Sequence, residues 1–495
     1  MKTLLRFASL SVICLLSIPC ALCQTTHPNE QTIDAQIDRV IHGLVPLVVI
    51  KGQPSAPMNL DDRLKYYHVP GVSIAYFDRG EIVWARGYGL ADVAANKPVT
   101  PDTLFQAASI SKPVSALAAL RLVEEGKLNL NEDVNTKLRE WKVPENEFTK
   151  EQKVTVRRIL SHTAGLTVHG FPGYAVSEPL PTLNQILNGE KPANTAAIRV
   201  DTVPGTNWRY SGGGYVILQL LLTEVTGESY PKLMHDLVLG PAQMAHSTYE
   251  QPLPETLRAR AADAYDGDGH PVQGLWHIYP EMAPAGLWTT SSDLAHMAIE
   301  VEKEYAGKSH AILSQQMVHQ MLTPEKNDYG LGFGLDHPGS SSLRFGHGGS
   351  NDGFEADFQA YADGGPGFAI MTNGDRGQSL IAEIERSIAK EYGWPDFHQV
   401  ERTLVKIDPA ILPTYVGSYQ INPHLKLIVT LDNNKLYMQV PPFDPDPLEL
   451  FPESPTEFFN LSNEAEFEFH KGPDGSIDAI TFHQRAHNEE WKKIK

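Results

Sequence analysis

The pattern of apolar and polar positions divides the chain into a helical middle and strand-rich ends. Apolar residues at helical intervals predict a helix over 32–44. Two β-rich runs, 72–77 and 82–88, are joined by the turn Asp78-Arg79-Gly80 and predict an antiparallel hairpin with a three-residue loop. Helical patterns and long loops then dominate to about residue 310, and later short strands are predicted at 332–335, 343–347, 354–361 and 368–372. Strands at both ends with helices between them indicate an α/β fold, an antiparallel sheet flanked by helices plus a mostly helical subdomain.

A second series of short strands follows a stretch of weak periodicity between residues 394 and 413. These strands are predicted at 415–421, 425–431, 435–440, 458–461, 467–470 and 477–483. They indicate a small all-β domain, either a barrel or a curled sheet. We therefore predict four segments, which are a signal peptide (1–23), a main domain (24–395), a linker (396–410) and a β domain (411–495).

The first 23 residues have the form of a secretory signal peptide. Lys2 and Arg6 precede an apolar run over 7–18, and a cleavage point after Ala21-Leu22-Cys23 is predicted. The run is too short to span a bilayer, so we expect export to the periplasm or the medium without membrane insertion. All three cysteines, Cys14, Cys20 and Cys23, lie in this segment, so neither disulfides nor cysteine catalysis are expected in the exported chain.

Composition narrows the choice of partners. Of the 495 residues 41% are hydrophobic, which is typical of a globular protein. The formal net charge is −19, and this negative charge argues against nucleic acid or anionic membranes as partners. The sequence contains no Gly-x-Ser-x-Gly, His-Glu-x-x-His or Walker motif. His162 and His169 lack ligand-spaced partners, so no metal or cofactor is expected.

The first segment with candidate chemistry is Ser109-Ile110-Ser111-Lys112, at the start of an apolar helix. Residues three apart on a helix are neighbours, so the Ser109 hydroxyl and the Lys112 amine can form a nucleophile with its own base. Ser-x-x-Lys also occurs at Ser229, in a polar stretch, and at Ser387, late in an amphipathic run, where a solvated helix face is expected. The helix after Lys112 is apolar nearly all round and is predicted to be buried, which favours Ser109. A capping serine is the structural alternative.

Two glycine-rich segments add further candidates. Tyr210-Ser211-Gly212 lies on a tight loop that leads into a helix ended by Gly227, where the alternative for Tyr210 is a packed aromatic. A strand is predicted to end in His347-Gly348-Gly349-Ser350. The two glycines have no side chains, so the backbone of a substrate can lie beside this strand. One amide there can act as an oxyanion donor beside that of Ser109. A glycine bulge that turns an edge strand is the alternative.

Together these segments resemble the penicillin-recognising serine hydrolases, which include class C β-lactamases, D-alanyl-D-alanine carboxypeptidases, D-aminopeptidases and related esterases. Ser109 to Lys112 resembles the family's Ser-x-x-Lys, Tyr210 to Gly212 its Tyr-x-Asn, and His347 to Gly349 its Lys-Thr-Gly or His-x-Gly element. The resemblance covers about residues 30 to 395. The domain after residue 410 resembles a lipocalin-like C-terminal domain.

The resemblance implies acyl transfer in which Ser109 attacks a carbonyl and water later releases the acid. Lys112 and Tyr210 would share the proton transfers, and His347, Gly348, Gly349, Ser350 and Gly212 would contact substrate or oxyanion. Histidine replaces lysine in the third motif, so we favour neutral Lys112 as the base. Gly212 replaces the asparagine that would hold a β-lactam side chain. These changes favour a D-amino-acid peptidase or carboxypeptidase over an efficient β-lactamase.

Three alternatives stay open at this point. The first is a carboxylesterase or weak β-lactamase built on the same residues. The second is a non-catalytic penicillin-binding-like protein that kept the fold. The third places the function in the C-terminal β domain, through ligand binding or closure over the cleft.

Overall fold

A computed structural model describes residues 30–54, 56–422, 425–441, 447–484 and 487–494. The predicted signal peptide and its cysteines lie outside these ranges. None of the described helices combines the length and the apolar character needed to cross a bilayer.

The helices fill the middle of the chain and both flanks of the main sheet. In chain order they are α1 (Glu30–Ile41), α2 (Leu60–Tyr67), α3 (Ser111–Glu124), α4 (Val156–Leu160), α5 (Leu183–Asn188), α6 (Gly212–Thr226), α7 (Tyr230–Met234), α8 (Glu255–Arg258), α9 (Met282–Ala285), α10 (Ser291–Tyr305), α11 (Gln315–Met321) and α12 (Gly377–Tyr392). Short 3₁₀ helices cover Ala108–Ile110, Val134–Thr136 and Pro409–Thr414, and His235–Leu239 forms a π-turn.

The strands form one large sheet, a barrel and several two-stranded pairs. They are β1 (Val48–Ile50), β2 (Gly71–Asp78), β3 (Glu81–Asp92), β4 (Lys97–Pro98), β5 (Phe105–Gln106), β6 (Tyr174–Ala175), β7 (His277–Ile278), β8 (Trp288–Thr289), β9 (Gly334–Asp336), β10 (Arg344–Asn351), β11 (Phe354–Tyr361), β12 (Gly367–Thr372), β13 (Val400–Arg402), β14 (Gly417–Asn422), β15 (Leu425–Asp432), β16 (Lys435–Gln439), β17 (Leu448–Pro452), β18 (Glu457–Phe459), β19 (Glu466–Lys471), β20 (Ile477–Gln484) and β21 (His487–Ile494).

The main sheet has the order β4-β3-β2-β12-β11-β10-β9, and its pairs are antiparallel. The predicted hairpin is confirmed, but its loop is shorter than predicted. Asp78 pairs with Glu81, so the turn has two residues, Arg79 and Gly80, with φ of 53° and 79°. Positive φ at both central residues is typical of the type I′ turn, and the twist of this turn matches the twist of the two strands it joins.

Both faces of the sheet centre are buried, each against a different layer of helices. Along β2, Ala75 and Phe77 join a core that includes α3, α6 and α10, while Ile74 and Tyr76 join a second core with α1, α2 and α12. Successive strand residues point to opposite faces, so one strand supplies both cores. Each large apolar side chain buried in this way contributes about 1.5–3 kcal/mol.

Helix α3 is buried along nearly its whole length, as its apolar sequence predicted. Its residues from Ser111 to Leu120 are all buried, and it ends at Glu124, just before Gly126 with φ of +71°. The long helix α6 is buried in the same way and ends at Gly227, as predicted. The start of each helix therefore lies deep in the molecule.

The C-terminal β domain is a closed barrel of eight strands, β14 to β21, in which β21 pairs back onto β14. The sequence predicted six of these strands and missed β17 and β21. In β21 one large apolar residue, Trp491, points into the core among charged neighbours, so the alternation that marks a strand is hidden. The likeness of this barrel to lipocalins stays a prediction.

The α/β fold with an antiparallel sheet and a separate β domain is confirmed. The segment 396–410, predicted to be a linker, contains β13, which pairs in parallel with β1. At its end Arg402 forms ion pairs with Glu453 at 3.3 Å and Glu466 at 2.5 Å. The segment is therefore attached to both parts of the chain. The predicted domain limits stay predictions.

The barrel core yields a prediction about stability. Leu427 is fully buried in it, so Leu427→Ala should lower the free energy of unfolding by about 2–5 kcal/mol through lost burial and a residual cavity. Ile494, on β21, is 38% exposed, and Ile494→Ala should change the same quantity by less than about 1 kcal/mol. Denaturant unfolding measures both values, and equal effects would contradict this packing.

Candidate active site

Ser109 lies on a sharp turn between a short strand and a buried helix. Strand β5 pairs with β8, and the amide of Ala107 donates to the Leu287 carbonyl at 2.8 Å. Ala108 then has φ of +49°, and the 3₁₀ turn Ala108–Ile110 leads into α3. A left-handed alanine costs about 1–3 kcal/mol and persists only where its surroundings hold it. Ser109 therefore lies in a 3₁₀ turn just before α3, whereas the sequence predicted it in the first turn of the helix.

The Lys112 amine lies beside the Ser109 hydroxyl. Its Nζ donates to Ser109 Oγ at 2.9 Å and to the Pro284 carbonyl at 3.0 Å. Lys112 is 2% exposed, and burial lowers the pKa of its amine to about 7. A large fraction of this lysine is therefore neutral at neutral pH, when it can accept a proton.

The other two Ser-x-x-Lys segments have ordinary structural roles. Lys232 forms ion pairs with Asp236 at 2.7 Å and Glu228 at 3.3 Å on the surface. Ser387 does not lie on a solvated helix face as predicted, because it is buried and its hydroxyl donates to the Val40 carbonyl at 2.7 Å. Ser109 is the member of this set that faces a cleft.

Tyr210 closes the site from the segment before α6. The Lys112 Nζ lies 4.8 Å from the centre of its ring, and its phenol faces Ser109. Burial raises the pKa of this phenol, and the contact with Ser109 opposes that effect only in part. Tyr210 is therefore a neutral hydroxyl near neutral pH.

His162 supports Tyr210 from behind, a role that the sequence did not reveal. The two rings have centres 4.3 Å apart, and the amide of Ser211 donates to His162 Nδ1 at 3.1 Å. An accepting Nδ1 means that the neutral ring carries its proton on Nε2. Burial lowers the pKa of His162 well below its usual value, so the ring stays neutral. The imidazole thus holds the loop that carries Tyr210.

Strand β10 carries the third motif, and it does not end at His347 as predicted. It pairs with β11 through Asn351, whereas its pairing with β9 stops at Gly346. Glycines continue a strand where another backbone approaches closely. A β-carbon on Gly349 would lie 2.2 Å from the Ala107 carbonyl oxygen, so the strand packs directly on the turn that carries Ser109.

His347 and Gly348 lie on the same open stretch of strand. The ring centres of His347 and Tyr210 are 6.1 Å apart. Burial, aided by the charge on Lys112, lowers the pKa of the His347 imidazole to about 4. His347 is therefore a neutral group, unlike the lysine of the Lys-Thr-Gly form of this motif.

Gly212 lies behind the cleft instead of lining it. It is buried at the start of α6, and a β-carbon there would lie 3.0 Å from both the His169 carbonyl oxygen and the Phe171 ring. The loop that carries His169 and Phe171 therefore covers this position. The structure brings the other predicted residues together and leaves Gly212 one layer away.

The assembled cleft has a volume of about 700 Å³. Its lining includes every predicted site residue except Gly212, and comprises Ser109, Lys112, His169, Gly170, Phe171, Trp208, Tyr210, Pro284, Ala285, His347, Gly348, Gly349, Ser350, Asn351, Glu355 and Gln378. Within the described ranges no group of three or more His, Cys, Asp or Glu is placed to hold a metal ion.

Comparison with known proteins identifies relatives for both parts of the chain. The Beta-lactamase family model matches residues 58–391, and a domain of unknown function, DUF3471, matches residues 401–493. Protein flp of Staphylococcus aureus (strain MW2) is 28% identical over 287 residues, which are 55% of this chain and 54% of that protein. The chain thus spans about half the length of this relative.

Two further matches extend over most of the chain. Penicillin-binding protein 4* of Bacillus subtilis (strain 168) is 24% identical over 434 residues, covering 83% of this chain and 92% of that protein. The structure of the octameric penicillin-binding protein homologue from Pyrococcus abyssi has a TM-score of 0.59 at 23% identity. It covers 88% of this chain and 98% of that chain. At 23% identity, this structural similarity shows only that the two proteins share a fold.

The contact between β10 and the Ser109 turn can be tested with one added methyl group. Gly349→Ala would force the turn away, so we expect the rate of Ser109 labelling by a fluorophosphonate to fall by roughly 10- to 100-fold. Gly170 also lines the cleft but has open space beside it, so Gly170→Ala should label at nearly the wild-type rate. Intact-mass spectrometry over time measures both rates, and equal rates would contradict the contact.

Proposed function

Because the chain belongs to the Beta-lactamase family, we propose that it is a serine hydrolase that cleaves a peptide, amide or ester through an acyl-enzyme. The observation that supports this most is the 2.9 Å contact between Ser109 Oγ and a buried amine whose pKa is lowered to about 7. A hydroxyl with an adjacent base is the arrangement that nucleophilic catalysis requires.

In the first step neutral Lys112 removes the proton from Ser109 Oγ as this oxygen bonds to the substrate carbonyl carbon. The carbonyl oxygen becomes an oxyanion, and the amides of Ser109 and of the open stretch of β10 donate to it. The bond to the leaving group then breaks. Tyr210 donates its phenol proton to the leaving amine or alcohol and recovers a proton from Lys112.

Water releases the acid in the second step by the same route in reverse. It loses a proton to the Lys112–Tyr210 pair as it attacks the acyl carbon. Ser109 then recovers its proton as the acyl bond breaks. Because the Tyr210 pKa is raised, the phenol is suited to relay a proton and poorly suited to serve as the resting base.

For the substrate we favour a peptide with a D-amino acid over a β-lactam. The third motif offers the neutral His347 where efficient β-lactamases of this family would have a lysine. The Bacillus subtilis relative is called a penicillin-binding protein, and by analogy we expect this chain to bind penicillin as a poor substrate. A carboxylesterase remains the second candidate because the same oxyanion donors and nucleophile serve both reactions.

Two energetically unfavourable features of the site argue against a non-catalytic binding protein. A buried lysine loses its hydration, and a left-handed alanine precedes Ser109. A protein that only binds ligands gains nothing from either feature. We also propose that residues 1–23 direct the enzyme to the periplasm or the medium, on the form of that segment.

Replacement of the nucleophile gives the first test. Ser109→Ala should lower turnover of a D-amino-acid ester or amide by on the order of 10⁴-fold and abolish the adducts with a fluorophosphonate and with a penicillin. Ser229→Ala changes the exposed serine of another Ser-x-x-Lys segment and should leave both reactions unchanged. Intact-mass spectrometry detects the adducts. An adduct that persists in Ser109→Ala would refute the assignment.

The dependence on pH gives the second test. Protonated Lys112 cannot accept the serine proton, so the labelling rate of Ser109 should rise with pH through about 7 and fall about tenfold per pH unit well below it. In Lys112→Arg the guanidinium stays protonated, so the rise and most of the rate should be lost. Labelling rates measured from pH 5 to 9 decide this, and a flat profile for the wild type would exclude Lys112 as the base.

A further inference from the structure

One end of the cleft contains a carboxyl group that the proposed mechanism does not use. Glu355 lies on β11 directly opposite Ser350 on β10, and both residues line the cleft with Gln378. Ser350 Oγ donates to Glu355 Oε1 at 2.7 Å. Ser350 and Glu355 therefore place a carboxyl group in the lining of the same cavity that contains Ser109.

None of the residues that the structure describes supplies a counter-ion to this carboxyl group. Glu355 is 9% exposed, and among the described residues its Oε2 accepts no hydrogen bond and the side chain forms no ion pair. Burial raises the pKa of the carboxyl to about 8, and nearby Asp375 acts in the same direction. The carboxyl group is therefore mostly protonated at neutral pH while no cation is bound, and a cation from outside the chain would favour its ionised form.

The rest of the cleft lacks a permanent cation to receive a carboxylate. Among the described residues that line it, Lys112 is the one lysine or arginine, and that amine donates to Ser109 and to the Pro284 carbonyl. The imidazoles of His169 and His347 also line it, and burial lowers the pKa of both. A substrate with a free carboxylate would find no fixed positive charge here, whereas an ammonium group would find Glu355.

We propose that Glu355 and Ser350 form a subsite for a protonated amine of the substrate, so that the enzyme prefers peptides or amides with a free amino group. This inference rests on the proposed function and narrows its substrate class toward aminopeptidase-like cleavage. As the ammonium group binds, the Glu355 carboxyl loses its proton to solvent. The ammonium then donates to Glu355 Oε2, while Ser350 donates to the opposite oxygen and keeps it in place. Glu355 acts on affinity and takes no part in the transfer of the acyl group.

The test uses three ligands that share one backbone and differ in charge. They are D-alanyl-D-alaninamide (+1), N-acetyl-D-alanyl-D-alaninamide (0) and N-acetyl-D-alanyl-D-alanine (−1). Titration calorimetry with the full Ser109→Ala chain measures binding without turnover. We expect the cation to bind at least tenfold more tightly than the other two, and Ser109→Ala/Glu355→Gln to lose this preference while binding the neutral ligand within about threefold.

A matched control separates the subsite from the overall acidity of the chain. Glu302 is a buried glutamate that does not line the cleft, so Ser109→Ala/Glu302→Gln should keep the preference for the cation. Ser350→Ala in the same background should weaken it by severalfold. Equal binding of the three ligands, tighter binding of the anion, no binding of the cation, or an unchanged preference in Glu355→Gln would each overturn the proposal. Because binding is measured without Ser109, failure here is distinct from a failure of the labelling tests above.

Discussion

The removal of the Lys112 ammonium group from water is the physical constraint on which the site depends. In solution a lysine is almost fully protonated at neutral pH and cannot act as a base. Here the apolar helix α3, the Pro284 carbonyl and Ser109 surround the amine, and Lys112 forms no ion pair with the described residues. A nearby carboxylate would stabilise the ammonium form and cancel the effect. The apolar core around α3 therefore has a chemical role as well as a structural one.

Close backbone packing is what brings the distant segments around that amine. Gly349 lets β10 pack on the Ala107 carbonyl, and Gly212 and Gly213 let the start of α6 pack closely against the loop that contains His169. His162 then fixes the loop before α6 through the Ser211 amide and the face of Tyr210. Each contact depends on a small residue or a neutral ring, so small changes of volume would move the reacting groups apart.

Local patterns were enough to predict the fold class and the central pair of residues. The spacing of Ser109 and Lys112, and the apolar residues that follow, describe one helix start and need no knowledge of the rest of the chain. Glu355 was missed because its significance depends on two features that are distant in sequence. These are its contact with Ser350 on the neighbouring strand and the lack of other cations among the described residues that line the cleft. The predicted end of the strand at His347 was wrong because glycine usually weakens a strand, whereas here a close backbone approach requires it.

The parallel pair formed by β1 and β13 has a consequence for the evolution and engineering of the two-part chain. It joins a segment near the start of the main domain to the last residues before the barrel, and Arg402 extends the junction to two barrel glutamates. A shorter protein produced at this border would keep its β1 ladder only if the cut followed residue 402. Such a protein would expose the Arg402 guanidinium to water and lose its ion pairs with Glu453 and Glu466, so the end of the shortened chain would carry a hydrated positive charge where the intact chain has an ion-pair junction.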